Sequence, residues 1–296
     1  MGRLPGRRYG FGVRRSPEPL GEPIATGRTS KVYEFGDGVV VKVPGPDVPE
    51  TWPAREARQT RAVRALGAPA PAVLDLVEID GRPAIVFERV SGPSMWELLR
   101  DEPHRAAELG AELGRIHVQI LSAGVPLGVG SLVERLADNI EHVSHFGDAE
   151  RTAALRAVEA LPRGAALLHG DLHPGNVLMS DAGPVAIDWF DAAVGHPVAD
   201  VVRSSLLLRP FDRAGDRPHT PGASASMLTD LHDGYTTTMR TTVMNAADDL
   251  MLWEAVIAAS RLAEDAETDE APLLAIWRDR LAPEASGSAL DRWLAS

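Results

Sequence analysis

The sequence predicts an α+β chain of two lobes, a small β-rich N-lobe and a larger, mainly helical C-lobe. Three observations carry this. Between residues 22 and 90, short β-branched runs alternate with Gly-containing turns and enclose one helical stretch. From Ser91-Gly92-Pro93 onward the periodicity becomes helical and stays so almost to the end. The length, 296 residues with 44% hydrophobic and 24% charged, suits one large domain or two lobes with a sizeable core. The expected divisions are a flexible basic arm over 1–21, the N-lobe over 22–90 and the C-lobe over 91–296.

In chain order, Lys31–Phe35 and Val39–Val43 read as a hairpin turned by Gly36-Asp37-Gly38. A Pro-rich connection follows, then a helix from about Ala54 to Leu66 with Ala57, Val63 and Leu66 on its apolar stripe. Val73–Ile79 and Pro83–Glu88 are strands turned by Asp80-Gly81. Beyond the junction, helices are expected over 94–100, 104–122, 131–145, 148–160, 197–208, 223–245, 248–267, 272–281 and 288–295. Residues 167–191 break this pattern, with short strands at Val177–Met179 and Val185–Ile187 between loops. Residues 210–226 read as a loop. Trp253 and Trp277 occupy apolar helical positions and are expected in the core, and His117 is expected to pack rather than catalyse.

Composition excludes several classes. There is no cysteine, hence no disulfide scaffold, thiolate zinc site or cysteine nucleophile. No apolar run reaches the roughly 18 residues of a membrane span, and the Arg-rich N-terminus has no hydrophobic segment of a secretory signal. The expectation is a cytoplasmic protein without a membrane partner. Residues 1–100 carry a net charge of +3 and residues 101–296 a net of −15. The acidic remainder argues against nucleic acid and suits a cationic small molecule or a merely solubilising surface. Of 30 basic residues only Lys31 and Lys42 are lysines. A lysine kept in so Arg-rich a chain points to a place where a guanidinium does not fit.

The most informative stretch is LLHGDLHPGNVLMSDAGPVAIDWFD, Leu167–Asp191. Asn176 follows Asp171 by five residues, and Asp188 lies twelve beyond at the end of a strand. A hairpin of the two strands returns Asn176 and Asp188 to the same end. Oxygen donors of this kind suit Mg²⁺, which shares its shell with substrate phosphates, and Asp171 can then accept a proton from a hydroxyl nucleophile. The spacing is that of kinase-type phosphoryl transfer. Two rivals compete: His169, Asp171 and His173 as an H-x-D-x-H transition-metal site, and a purely structural loop. Lys42, in a predicted strand, is the expected phosphate anchor, paired with Glu56 on the first helix, or with Glu50 as the rival partner.

The run HGDLHPGN with IDW twelve residues later resembles the aminoglycoside phosphotransferase and choline-kinase-like family of small-molecule kinases, with a protein-kinase-like fold. GRTSKVYEF, VVVKV, AREA and ELGRIHVQI follow in the family's order, and the resemblance covers roughly residues 22–210. It implies Asp171 as catalytic base, Asn176 and Asp188 as Mg²⁺ ligands, and Lys42 with Glu56 as the phosphate-anchoring pair. It implies a nucleotide-positioning loop at Gly27, Thr29 and Ser30, a purine-binding hinge over Glu88–Val90, and an apolar floor of Leu178 and Ile187. Asp200 and His169 would support the catalytic loop, and Trp189 and Asp191 would lie where an acceptor passes. His196 stands where many relatives carry an acidic residue. The implied cofactors are ATP or GTP with Mg²⁺, and the implied partner is a small hydroxylated acceptor, an antibiotic foremost. A metabolic alcohol or a nucleotide-binding pseudokinase are the alternatives. The absence of G-x-G-x-x-G, of HRD and of A-P-E argues against a protein kinase.

Overall fold

A computed structural model describes residues 20–209, 223–243, 249–264 and 270–281. Most of the expected arm and of the 210–226 loop, and the expected helix at 288–295, lie outside them. The chain divides into two compact units. Among the described residues, one runs to Arg61 and resumes over Pro71–Val90; the other comprises Ala62–Ala70 and those from Ser91 onward.

The first unit is an antiparallel five-stranded sheet in the order β1-β2-β3-β5-β4, formed by β1 (Ala25–Thr26), β2 (Ser30–Glu34), β3 (Val39–Pro44), β4 (Val73–Ile79) and β5 (Arg82–Glu88). Its turns follow from backbone chemistry. Gly36 and Gly38 supply positive φ between β2 and β3, while Asp80 and Gly81, at φ 50° and 80°, make the tight turn between β4 and β5. Helix α1 (Trp52–Ala65) begins on this unit. Strand β5 is apolar at successive positions because both of its faces are covered. Ala84 and Val86 pack with Val41, Val77 and Ile79, whereas Ile85 and Phe87 pack with Ala57 of α1.

The second unit is helical: α2 (Met95–Asp101), α3 (Ala106–Leu121), α4 (Leu132–Glu141), α5 (Asp148–Ala160), α6 (Pro197–Leu208), α7 (Ala225–Thr242), α8 (Leu250–Arg261) and α9 (Glu270–Leu281). Ser94 and Glu97 form a capping box that starts α2. One apolar cluster gathers α4, α5, α6, α8 and α9 around Trp253 and Trp277, both buried as their positions predict. The other gathers α2, α3 and α7 around Met95, Trp189 and Tyr235. Helices α3 and α7 touch through glycine: a Cβ on Gly110 would lie 2.1 Å from the Leu231 carbonyl oxygen, and one on Gly234 2.1 Å from that of Ala107.

Four short strands interrupt the helices. Strands β7 (Val177–Ser180) and β8 (Gly183–Ala186) form the expected hairpin, and β6 (Ala166–Leu168) pairs with β9 (Ala193–Gly195). The sequence shows no sign of β6 or β9, because three residues are too few to display a period of two. Helices α4 and α8 end sooner than the periodicity suggests. Val143 and Phe146 are buried although the chain has already left α4, so apolar spacing alone overstates its length.

Candidate active site

The segment His169–Asn176 runs from β6 to β7 and is held at both ends. At its start, the Asp200 carboxylate of α6 accepts the N–H groups of His169 and Gly170, at 2.6 and 2.9 Å. Gly170 has φ +83°, and a Cβ there would lie 2.0 Å from the Asp191 carbonyl oxygen, so only glycine fits. At its end, Asn176 Nδ2 donates to the Asp171 carbonyl at 2.9 Å and lies 3.3 Å from Asp171 Oδ2. The β7–β8 hairpin pairs Val177 with Ala186, and the Ile187 N–H donates to the Asn176 carbonyl at 2.9 Å. The chain then reaches Asp188, which sits in the left-handed region at φ 63° and opens a 3-10 turn over Trp189–Asp191. A non-glycine residue in this region stores backbone strain, which is most often found at functional positions.

Buried polar chemistry supports this loop from below. Burial works to raise the Asp200 carboxyl, but the hydrogen bond from His117 and the Gly170 N–H outweigh it and hold the group down at about 2. His117 Nε2 lies 3.1 Å from Asp200 Oδ2, and its Nδ1 lies 2.7 Å from the Tyr235 hydroxyl on α7. All three side chains are buried. His169 accepts the Asp171 N–H at Nδ1 (3.2 Å) and its Nε2 lies 3.0 Å from the Ile187 carbonyl. Burial lowers its pKa. With both nitrogens engaged it is a neutral packing residue and no metal ligand. Among the described residues no group of three His, Asp or Glu is arranged to hold a metal ion, so the H-x-D-x-H reading falls.

Asp171 is about a quarter exposed at its side chain. Beside Asn176 it has two cationic or polar neighbours: Arg203 Nη2 at 3.4 Å from Oδ1 and His173 Nε2 at 3.7 Å from Oδ2. The His173 Nδ1 accepts the Gly175 N–H at 3.1 Å. Asn176 is oriented by its amide nitrogen through these contacts with Asp171.

In the first unit, Lys42 Nζ lies 2.7 Å from Glu56 Oε1, so Glu56 and not Glu50 is the partner. Both side chains are largely buried. Gly27 donates its N–H to the Ser30 carbonyl at 2.9 Å within the β1–β2 turn, so that group is turned inward. At the expected hinge, Glu88 N–H donates to the Ala72 carbonyl and Arg89 N–H to that of Gly38, each at 2.9 Å, while the Glu88 carboxylate accepts the Ala72 N–H.

Other expected positions stand as follows. Leu178 and Ile187 fall on the half-exposed side of the β7–β8 hairpin, opposite the buried Val177 and Ala186. Trp189 corrects the reading as an acceptor contact: it is fully buried, donates Nε1–H to the Ala186 carbonyl at 2.8 Å and packs on His169 at 4.6 Å between ring centroids. The 3-10 turn after Asp188 rotates it into the core. Asp191 remains partly exposed beside Arg135, which also donates to its carbonyl. His196 caps α6 by accepting the Val198 N–H at 3.3 Å and stacks on Trp253, which accounts for the residue at that position.

The sequence profile of the phosphotransferase enzyme family (APH) matches residues 21–241. The chain belongs to that family. No curated protein matches it. Solved structures similar to this phosphotransferase include an aminoglycoside-3'-phosphotransferase of type VIII, at 19% identity and TM-score 0.55, covering 82% of this chain and 90% of that one. The streptomycin-ATP-APH(2")-IIa ternary complex matches at 13% identity and TM-score 0.53, covering 88% and 93%. A choline/ethanolamine kinase family protein from Mesorhizobium loti matches at 18% identity and TM-score 0.50, covering 90% and 86%. At such identities the likeness shows the fold, a two-lobed kinase-like one.

Sequence reasoning missed four residues around the phosphotransferase loop: Arg135, Arg203, Tyr235 and Glu264. Arg203 Nη1 lies 2.7 Å from Glu264 Oε1. Its one signal in the sequence is position, a charge inside the otherwise apolar and small run VVRSSLLL three residues after Asp200.

Proposed function

We propose that this chain is a Mg²⁺-dependent O-phosphotransferase that moves the γ-phosphate of ATP or GTP to a hydroxyl of a small molecule, an antibiotic in the first instance. One observation carries the reading: Asp171 and Asn176 are locked together in a loop braced by Asp200, and the β7–β8 hairpin returns the chain to Asp188 beside it. In this reading Asp171 aligns the acceptor hydroxyl and takes its proton as the new oxygen–phosphorus bond forms and the bond to the leaving nucleoside diphosphate breaks. Asn176 and Asp188 would hold Mg²⁺, which supplies charge neutralisation at the phosphates. Lys42, steadied by Glu56, binds the nucleotide phosphates. The inward-turned N–H groups of Glu88 and Arg89 narrow the hinge donor for a base to Val90, and the inward-turned Gly27 shifts phosphate contacts to Thr29 and Ser30.

The net charge of −15 over residues 101–296 supports a cationic acceptor. Solved relatives include both aminoglycoside phosphotransferases and a choline/ethanolamine kinase family protein, so the fold leaves a metabolic alcohol as the second reading. The test is a panel of hydroxylated antibiotics and metabolites incubated with the chain, Mg²⁺ and either ATP or GTP, read by mass. Gain of one phosphoryl group by an antibiotic is expected. Gain by metabolic alcohols alone moves the substrate class, and nucleotide binding without any transfer favours the pseudokinase.

A further inference from the structure

We propose that Arg203 is a positioning residue for Asp171 and that Glu264, just beyond α8, holds Arg203 in place. The inference rests on the reading of Asp171 as the catalytic base. Three observations lead to it.

The first is where the two oxygens of Asp171 go. Oδ1 faces Arg203 Nη2 at 3.4 Å, and Oδ2 faces Asn176 Nδ2 at 3.3 Å and His173 Nε2 at 3.7 Å. These contacts hold the two oxygens of the carboxylate from either side.

The second is the shape of the bridge. The Arg203 guanidinium turns one nitrogen to Asp171 and the other to Glu264, the latter at 2.7 Å. Its side chain is 13% exposed. A planar fork can span two carboxylates at once, whereas an ammonium concentrates its charge at one point. Burial alone would lower the pKa of Arg203, but Glu264 and Asp171 raise it, so it stays charged.

The third is its position on α6. Arg203 lies three residues after Asp200, one turn along the same helix face. The first of these side chains holds the His169 and Gly170 N–H groups, the second the Asp171 carboxylate. One helical turn thus fixes both the backbone of the loop and the orientation of its acidic side chain.

The test compares wild type, Arg203→Met, Arg203→Lys, Glu264→Gln, Asp171→Asn and the double variant Arg203→Met/Asp171→Asn, using ATP and the acceptor found in the panel. Misorientation of a reacting group costs about tenfold or more in rate. We expect that loss in kcat for Arg203→Met, with the nucleotide KM within about twofold, and partial recovery in Arg203→Lys. In the Asp171→Asn background the same substitution should lower kcat no further. A folded Arg203→Met with kcat near wild type, or an equal loss in both backgrounds, overturns the proposal. Should Arg203→Met not fold, Glu264→Gln decides: a lower kcat at unchanged nucleotide KM is expected, and an unchanged kcat overturns it. Thermal unfolding of the same four-way cycle reads the pairing without activity. The Tm loss from Arg203→Met should shrink when Asp171 is already Asn, and additive losses count against the pair. If wild type phosphorylates nothing, the functional reading fails while this unfolding cycle still judges the contact.

Discussion

Asp200 is a carboxylate in the core whose negative charge faces two backbone N–H groups and the His117 imidazole. Its folded pKa of about 2 lies below the ordinary carboxylate range. The sign follows directly. Above about pH 5 the group is ionised whether folded or not, and its stabilising contribution by linkage is fully present. It is lost as pH falls from there through 2. The unfolding free-energy difference between wild type and Asp200→Asn should therefore be constant above about pH 5 and narrow below pH 4. Parallel stability curves down to pH 3 would contradict the assignment. If Lys42 binds the nucleotide phosphates as proposed, Lys42→Ala should raise the nucleotide KM well above its effect on the acceptor KM, and unchanged nucleotide kinetics would contradict that role. The sequence made Asp171, Asn176, Asp188 and Lys42 visible because each stands in a local pattern. Arg203 was not visible, since one arginine among 28 gives no hint of a partner 32 residues earlier. Trp189 was misread because its neighbours in sequence are site residues, while the 3-10 turn sends its ring inward.

Elements reach the site through their spacing. Helices α3 and α7 bring His117 and Tyr235 together because Gly110 and Gly234 let the two backbones approach to within contact. Gly234→Ala inserts a methyl group against the Ala107 carbonyl, and overpacking of this kind costs about 1–3 kcal/mol. Thermal unfolding should register that loss, with a fall in turnover as His117 shifts relative to Asp200. An unchanged Tm would show that the helices have room to spare. Hairpins with Gly or Asp-Gly turns were legible in the sequence, since positive φ leaves a chemical mark. The three-residue strands β6 and β9 were not, and apolar residues just past α4 mimicked a helix that the chain had already left.

At the scale of the molecule, no helix among the described residues is long and apolar enough to cross a membrane, and the candidate residues are distributed over both units. The sheet unit carries Lys42 and Glu56; the helical unit carries Asp171, Asn176 and Asp188. If the oxygen donors of the second unit serve a divalent cation, chelation by EDTA should stop phosphoryl transfer and added Mg²⁺ should restore it. Transfer that persists in EDTA would contradict that role. The composition announced a chain of two parts through its change of periodicity at 91–93. It could not announce that residues 62–70 pack with the later part, because that placement depends on contacts made more than a hundred residues away, such as the Ala186 N–H donating to the Pro69 carbonyl at 2.7 Å. The central claim is that Asp171 takes the acceptor's proton. Its most direct test is the turnover of Asp171→Ala on the phosphorylated acceptor under saturating nucleotide and Mg²⁺. A loss of about a hundredfold or more is predicted, with nucleotide binding retained; turnover close to that of wild type would contradict the account.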